Sequence, residues 1–82
     1  MLLEQALQQQ QVSADAFSTL GRLLQSASRF EVSKAIFNAA LERYTFEGKL
    51  NKIASTLLQL ATSERNLSNY SAAMTYVRRA MS

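Results

Sequence analysis

The side chains able to do acid–base or charge chemistry in this 82-residue chain are six carboxylates, nine Lys or Arg and three Tyr, with no cysteine and no histidine. Without thiolate or imidazole there is no disulfide framework, cysteine nucleophile, near-neutral base or zinc site of ordinary type, so carboxylate chemistry is the enzymatic option left. Glu4, Asp15, Glu31, Glu42, Glu47 and Glu64 are scattered along the chain. No two recur on one face at a spacing suited to an acid/base pair, and each has a capping or surface explanation. Gly21 and Gly48 stand alone, so no phosphate-cradling loop is present. The sequence points away from an enzyme and implies neither cofactor nor metal.

The basic residues offer a second chemistry. Arg78 and Arg79, with Arg43 and Arg29 and with Tyr76 interleaved, are the material of a nucleic-acid surface. Arginines in a last helical turn also serve the helix dipole, however, and the net charge is only +3. Charged residues make up 18% of the chain, below the roughly 25% of an average soluble protein, so charge is not its main theme. A helix-turn-helix over Ala14 to Tyr44 would read bases with Lys34, Asn38 and Arg43, a thin set. A nucleic-acid-binding regulator using Arg43, Arg78 and Arg79 is therefore the alternative reading, behind a protein or peptide partner.

The elements that must position these residues are helical. Proline is absent and glycine occurs twice, and these residues punctuate helices most strongly. No apolar run approaches the roughly 20 residues of a membrane span, and Met1-Leu2-Leu3-Glu4 lacks a basic n-region, which predicts a cytoplasmic protein without a secretory signal. Phe17, Leu20, Leu23, Leu24 and Ala27 share one face of a helix over about residues 14 to 27, with Ser13 as its N-cap and Asp15 in its first turn. Ser28 and Glu31 form a capping-box pattern ahead of Val32, Ile36, Phe37, Ala40 and Leu41, predicting a second helix that ends near Tyr44. Thr45 can cap a third helix carrying Phe46, Leu50, Ile53, Leu57, Leu60 and Ala61. If Gly48 instead caps the second helix at its C-terminus, the third begins near Leu50. Ser63 to Asn69 reads as a turn, and Tyr70, Ala73, Met74, Val77 and Met81 lie on one face of a fourth helix. Residues 1–12, where Leu2, Leu3, Ala6 and Leu7 precede four glutamines, are expected to be a capping helix or frayed arm.

A shift of forty residues overlays the two halves of the chain. Phe30, Phe37, Ala40 and Leu41 fall on Tyr70, Val77, Ala80 and Met81, while Phe17, Leu20 and Gly21 fall on Leu57, Leu60 and Ala61. Each half is one helical hairpin, residues 14–44 and 46–82, with small residues (Gly21 and Ser33, Ala61 and Ala73) where the helices approach closely. Phe17, Leu20, Gly21, Leu24, Ser33, Phe37 and Ala40 resemble the tetratricopeptide repeat, followed more loosely by Leu57, Leu60, Ala61, Ala73, Val77 and Ala80. The family's closing proline is missing, with Thr45 in its place. Glu64 stands where an aromatic is usual, and the offset exceeds the family's repeat of about 34 residues. The resemblance covers roughly residues 14 to 82. It implies an all-α single domain of antiparallel helical hairpins, stacked as a short right-handed array of four to five helices.

The resemblance also implies a concave, peptide-binding face. Its positions fall on Asp15, Ser18, Arg22, Gln25 and Ser26, then on Ser55, Leu58, Gln59, Thr62, Arg65 and Asn66. Arg22 and Arg65 are the residues able to clamp a carboxylate, although the family's lysine and asparagine clamp is not reproduced. Leu58 lies off the core stripe and requires a cover. Arrays of this kind generally need three or more units, and this chain carries two, so Leu58, Tyr76, Val77 and Met81 call for a covering surface. That surface would be a second copy or an amphipathic helix of another protein. The expected function is a small adaptor or chaperone-like module, homodimeric or in a heterocomplex, with secretion-system chaperones of tetratricopeptide type as an analogy. Its expected partner-binding residues are Arg22, Gln25, Leu58, Thr62, Arg65, Tyr76, Val77 and Met81.

Overall fold

The computed structural model describes residues 13–82, and the capping helix or arm expected over 1–12 lies outside the described residues. Four α-helices account for nearly all of them, with no strand among the described residues: α1 (Ala14–Ser26), α2 (Phe30–Glu47), α3 (Leu50–Asn66) and α4 (Tyr70–Met81). The protein is all-α, as the periodicity requires.

Three tight turns separate the helices, and all three close in the same way. Ser28, Gly48 and Ser68 sit in the left-handed region, at φ 60, 69 and 65. Each donates its N–H to the carbonyl three residues back, and the next residue donates to the carbonyl five back. In the first turn these bonds are Ser28 to Gln25 at 2.9 Å and Arg29 to Leu24 at 2.8 Å. In the third they are Ser68 to Arg65 at 2.9 Å and Asn69 to Glu64 at 2.8 Å. This pair of bonds is the Schellman motif, which satisfies the last carbonyls of a helix and reverses the chain within two or three residues. Consecutive helices are therefore antiparallel. The first and third turns lie forty residues apart and repeat both of these bonds, the third adding one from the Leu67 N–H to the Glu64 carbonyl at 3.1 Å, so the repetition read from the side chains is also present in the backbone.

Several boundaries differ from the expectation. Ser13 caps α1, accepting the Ala16 N–H at 3.1 Å. Ser28 is not the cap of α2: it occupies the left-handed position of the turn, Arg29 stands at the N-cap, and no side-chain bond is made there. Thr45 does not cap a third helix either, because its hydroxyl donates to the Leu41 carbonyl inside α2 at 2.7 Å. Gly48 ends α2, the other option the sequence left open. Phe46 consequently belongs to the last turn of α2, two residues beyond the buried Tyr44 and on the opposite side, and is 93% exposed. Leu50 is also exposed. Ser63 and Glu64, expected in a turn, are buried residues of α3.

Each helix packs on the next in chain order. α1 also reaches α3 narrowly, whereas α1 and α4 do not meet. The result is an open row of helices measuring 34 × 29 × 15 Å, not a ring closed on itself. Two apolar clusters lie along the row. Ala14, Phe17, Ala40 and Tyr44 form one, with Ile53 of α3 packed against it; Phe37, Leu41, Leu57 and Leu60 form the other, joined by Tyr76 and Ala80 of α4. Gly21 makes room for the second. A Cβ built there would lie 2.8 Å from the Phe37 ring, so the required small residue answers to a side chain and not to a neighbouring backbone. On α2 the buried stripe is Ser33, Phe37, Ala40, Leu41 and Tyr44, leaving Val32 exposed; Leu23 on α1 and Ala27 just past its end are exposed rather than part of the core face.

Candidate functional site

Polar side chains hold α3 onto the first hairpin. The Gln25 amide of α1 donates to the Gln59 carbonyl at 3.0 Å and to Ser63 Oγ at 2.9 Å, and Ser63 Oγ is 3.0 Å from Ser33 Oγ of α2, both serines being fully buried. Beside them Lys34 Nζ approaches Glu64 Oε1 at 3.0 Å, and the Asn69 amide donates to the same oxygen at 3.0 Å. Burial pushes the Glu64 carboxyl up. The Asn69 hydrogen bond and the Lys34 charge outweigh it and hold the group below its ordinary value. Lys34 is raised, chiefly by its hydrogen bond to Glu64. At the other end, the Tyr44 hydroxyl donates to Asp15 Oδ1 and receives a hydrogen bond from Ser18 at 3.2 Å, with Lys52 of α3 at 3.8 Å from Asp15. The Tyr44 hydrogen bond, then the Lys52 charge, lower Asp15; burial, then the Asp15 bond, raise Tyr44. These acids are engaged as ties between helices.

Among the described residues, nothing covers the second hairpin in this way. Between α3 and α4 lies an open groove of about 320 Å³, walled by Leu58, Thr62 and Arg65 from α3 and by Tyr70, Met74 and Val77 from α4, with Ala61 and Ala73 at its floor. Leu58 is 48% exposed, Met74 52% and Tyr70 63%, so three large apolar side chains face water along one surface. A neighbouring depression shares Tyr70 and Met74 and extends towards Arg78. The groove is thus apolar along its floor and basic at two points on its rim, Arg65 and Arg78.

The expected partner-binding residues divide between places. Leu58, Thr62, Arg65 and Val77 come together in the groove. Arg22 is exposed on α1. Gln25 is on α1 too, with its amide spent on the α3 seam. Tyr76 faces the second core cluster, with Arg79 over its ring at 5.8 Å, and Met81 is exposed at the end of α4. Arg43 lies over the Phe17 ring at 5.7 Å. Tyr70 and Met74 belong to the groove although sequence reasoning placed them on the core stripe of α4. The forty-residue overlay held the signal for Met74, because it sets that side chain opposite Lys34, which is not a core position. Comparison with protein-family models, curated proteins and solved structures finds no match.

Proposed function

We propose that this chain is a protein–protein interaction module, an adaptor or small chaperone-like protein, that takes an amphipathic helix into the groove between α3 and α4. The observation that carries the reading is the row of Leu58, Tyr70 and Met74 left open to water. Covering a large apolar side chain is worth about 1.5–3 kcal/mol, a large share of what holds so small a domain together. The groove's length along two antiparallel helices suits a third helix better than an extended peptide, which would find no strand edge among the described residues. The stacking of the hairpins as a tetratricopeptide-like array is part of the proposal, supported by the recurring turn and the open row. A binding role without catalysis, exercised in the cytoplasm, fits a chain in which Asp15 and Glu64 are occupied in ties between helices. The nucleic-acid reading has less support, since Arg43 and Arg79 are laid over aromatic rings.

Selection from a displayed library of amphipathic helical peptides tests the proposal. Peptides are expected that bind the 82-residue protein at low and high salt alike and lose binding on Leu58→Asp or Met74→Asp. Failure to select any, or binding indifferent to both substitutions, would remove it. DNA or RNA affinity that falls steeply with salt would favour the regulator instead.

A further inference from the structure

The groove has an internal precedent. Forty residues back, Ala61 falls on Gly21, Arg65 on Gln25, Ala73 on Ser33, Met74 on Lys34 and Val77 on Phe37. That earlier surface is the one α3 covers: Ser33 and Phe37 are buried, and Gln25 and Lys34 bind Ser63 and Glu64. The same shift carries the docking face of α3 onto α1, with Gln59 falling on Thr19, Leu60 on Leu20, Ser63 on Leu23 and Glu64 on Leu24. Thr19 is exposed and Leu23 is 64% exposed. Each end of the row therefore carries one half of the interface that joins its middle.

The two halves are matched pair by pair. Where the internal interface sets Ser33 against Ser63, the ends offer Ala73 and Leu23. Where it sets Lys34 against Glu64, they offer Met74 and Leu24. Both polar pairs have become apolar on both sides at once. A change on one side alone would bury an unpaired polar group against a hydrophobe, which is costly. Phe37 and Leu60, which share a core cluster, become Val77 and Leu20. Gln25, which donates to the Gln59 carbonyl, becomes Arg65, a donor again, opposite the Thr19 main chain.

We infer that the groove receives α1 of a second copy of this chain, docked as α3 docks on the first hairpin, so that copies join head to tail. The inference rests on the groove being a helix-binding site and names the occupant. Such an interface is heterologous: it leaves a free groove at one end and a free α1 at the other, and assembly continues unless the rotation closes a ring.

Sedimentation equilibrium of the full chain and of two charge variants, Leu23→Glu and Met74→Glu, tests this. Both side chains are more than half exposed, so the fold is retained, as circular dichroism would verify. The unaltered protein should gain mass with concentration past the dimer. Each variant alone should self-associate at least about tenfold more weakly, since an unpaired charge would enter an apolar contact. An equimolar mixture should form a 1:1 dimer that grows no further, because Met74→Glu retains a sound α1 and Leu23→Glu a sound groove. If Leu23→Glu associates like the unaltered protein, the contact is groove to groove and the inference fails. It fails equally if the unaltered chain remains a monomer up to millimolar concentration. Helical-peptide binding that persists in such a monomer would leave the proposed function standing, whereas its loss as well would remove both.

Discussion

The first hairpin and the second are built on one pattern, yet they bury different amounts of it. Phe37 is 1% exposed and Ser33 fully buried, while Val77 and Ala73 at the equivalent positions are half-buried and Met74 is 52% exposed where Lys34 is drawn into an ion pair. The turns that close the two hairpins share both bonds of the Schellman motif, so the turn motif does not account for the difference. The neighbour does: α3 lies on the first hairpin, and among the described residues nothing lies on the second. A helical hairpin of this kind acquires its core from whatever stacks upon it.

Truncating the large apolar side chain at the two equivalent positions, Phe37 and Val77, should break that comparison most visibly. Phe37→Ala is expected to cost about 3–5 kcal/mol, because its ring packs with Leu41, Leu57 and Leu60 and the space cannot collapse. Val77→Ala should cost about 1 kcal/mol or less in the isolated chain, since its side chain is only half-buried. Urea denaturation of both measures the gap; equal losses would mean that the second hairpin is covered after all. The ion pair on the seam comes next. Glu64→Gln should cost about 1–3 kcal/mol by taking away the buried partner of the Lys34 ammonium and leaving it only the exposed Glu31 at 3.4 Å. Because the folded state holds Glu64 below its ordinary 4.5, its contribution is present above that value and lost as the pH falls through the lowered one. Lys34 is raised above 10.5, so its share is present below that pH and lost on climbing through the raised value. The Gln variant should therefore lose less stability on acidification than the unaltered protein does. An unchanged acid limb would show that the carboxylate contributes little.

How far these features are legible in the sequence depends on whether a neighbour must be known. Period and turn chemistry are local, so four helices, the Ser13 cap and the forty-residue repetition can all be read directly. Gly48 could be assigned two ways, because a glycine between two apolar stripes serves equally as a C-cap of the first or as a weak first turn of the second; the left-handed φ decides it. Ser63 and Glu64 were illegible for a different reason. Ser-Glu-Arg-Asn reads as a turn by composition, and only the arrival of Ser33, Gln25 and Lys34 from other helices gives those polar groups partners that make burial tolerable. Half of the groove was visible in the same way. Leu58 lay off its stripe, whereas Tyr70 and Met74 sat on a regular apolar stripe over which, among the described residues, no further helix is stacked.

Gly21 sharpens the comparison at smaller scale. Gly21→Ala gains roughly 1 kcal/mol of helix propensity, but its methyl would press 2.8 Å from a ring that has no room to move, so a net loss of about 1 kcal/mol is expected. At the equivalent Ala61 the methyl is already present, under the smaller Val77. Combining Gly21→Ala with Phe37→Val, which copies the second hairpin into the first, should cost less than the two separate losses added together. A double-mutant cycle by thermal unfolding reads that coupling, and strict additivity would show that the contact is not what requires the glycine.

The smallest expected effect is a gain, and it isolates the part the two hairpins share. Ser28 and Ser68 hold left-handed backbone at φ 60 and 65, where a β-carbon is crowded by the carbonyl that follows, at a cost of about 1–2 kcal/mol. Glycine relieves that strain but adds freedom to the unfolded chain, so about half of the relief should survive. Ser28→Gly and Ser68→Gly are each expected to stabilise by about 0.5–1 kcal/mol, and by the same amount, because neither serine makes a side-chain hydrogen bond among the described residues and the turn bonds coincide. Gains that differ by more than the error of the measurement would mean that the turns are held differently by their surroundings, and that the backbone repetition does not extend to the energies.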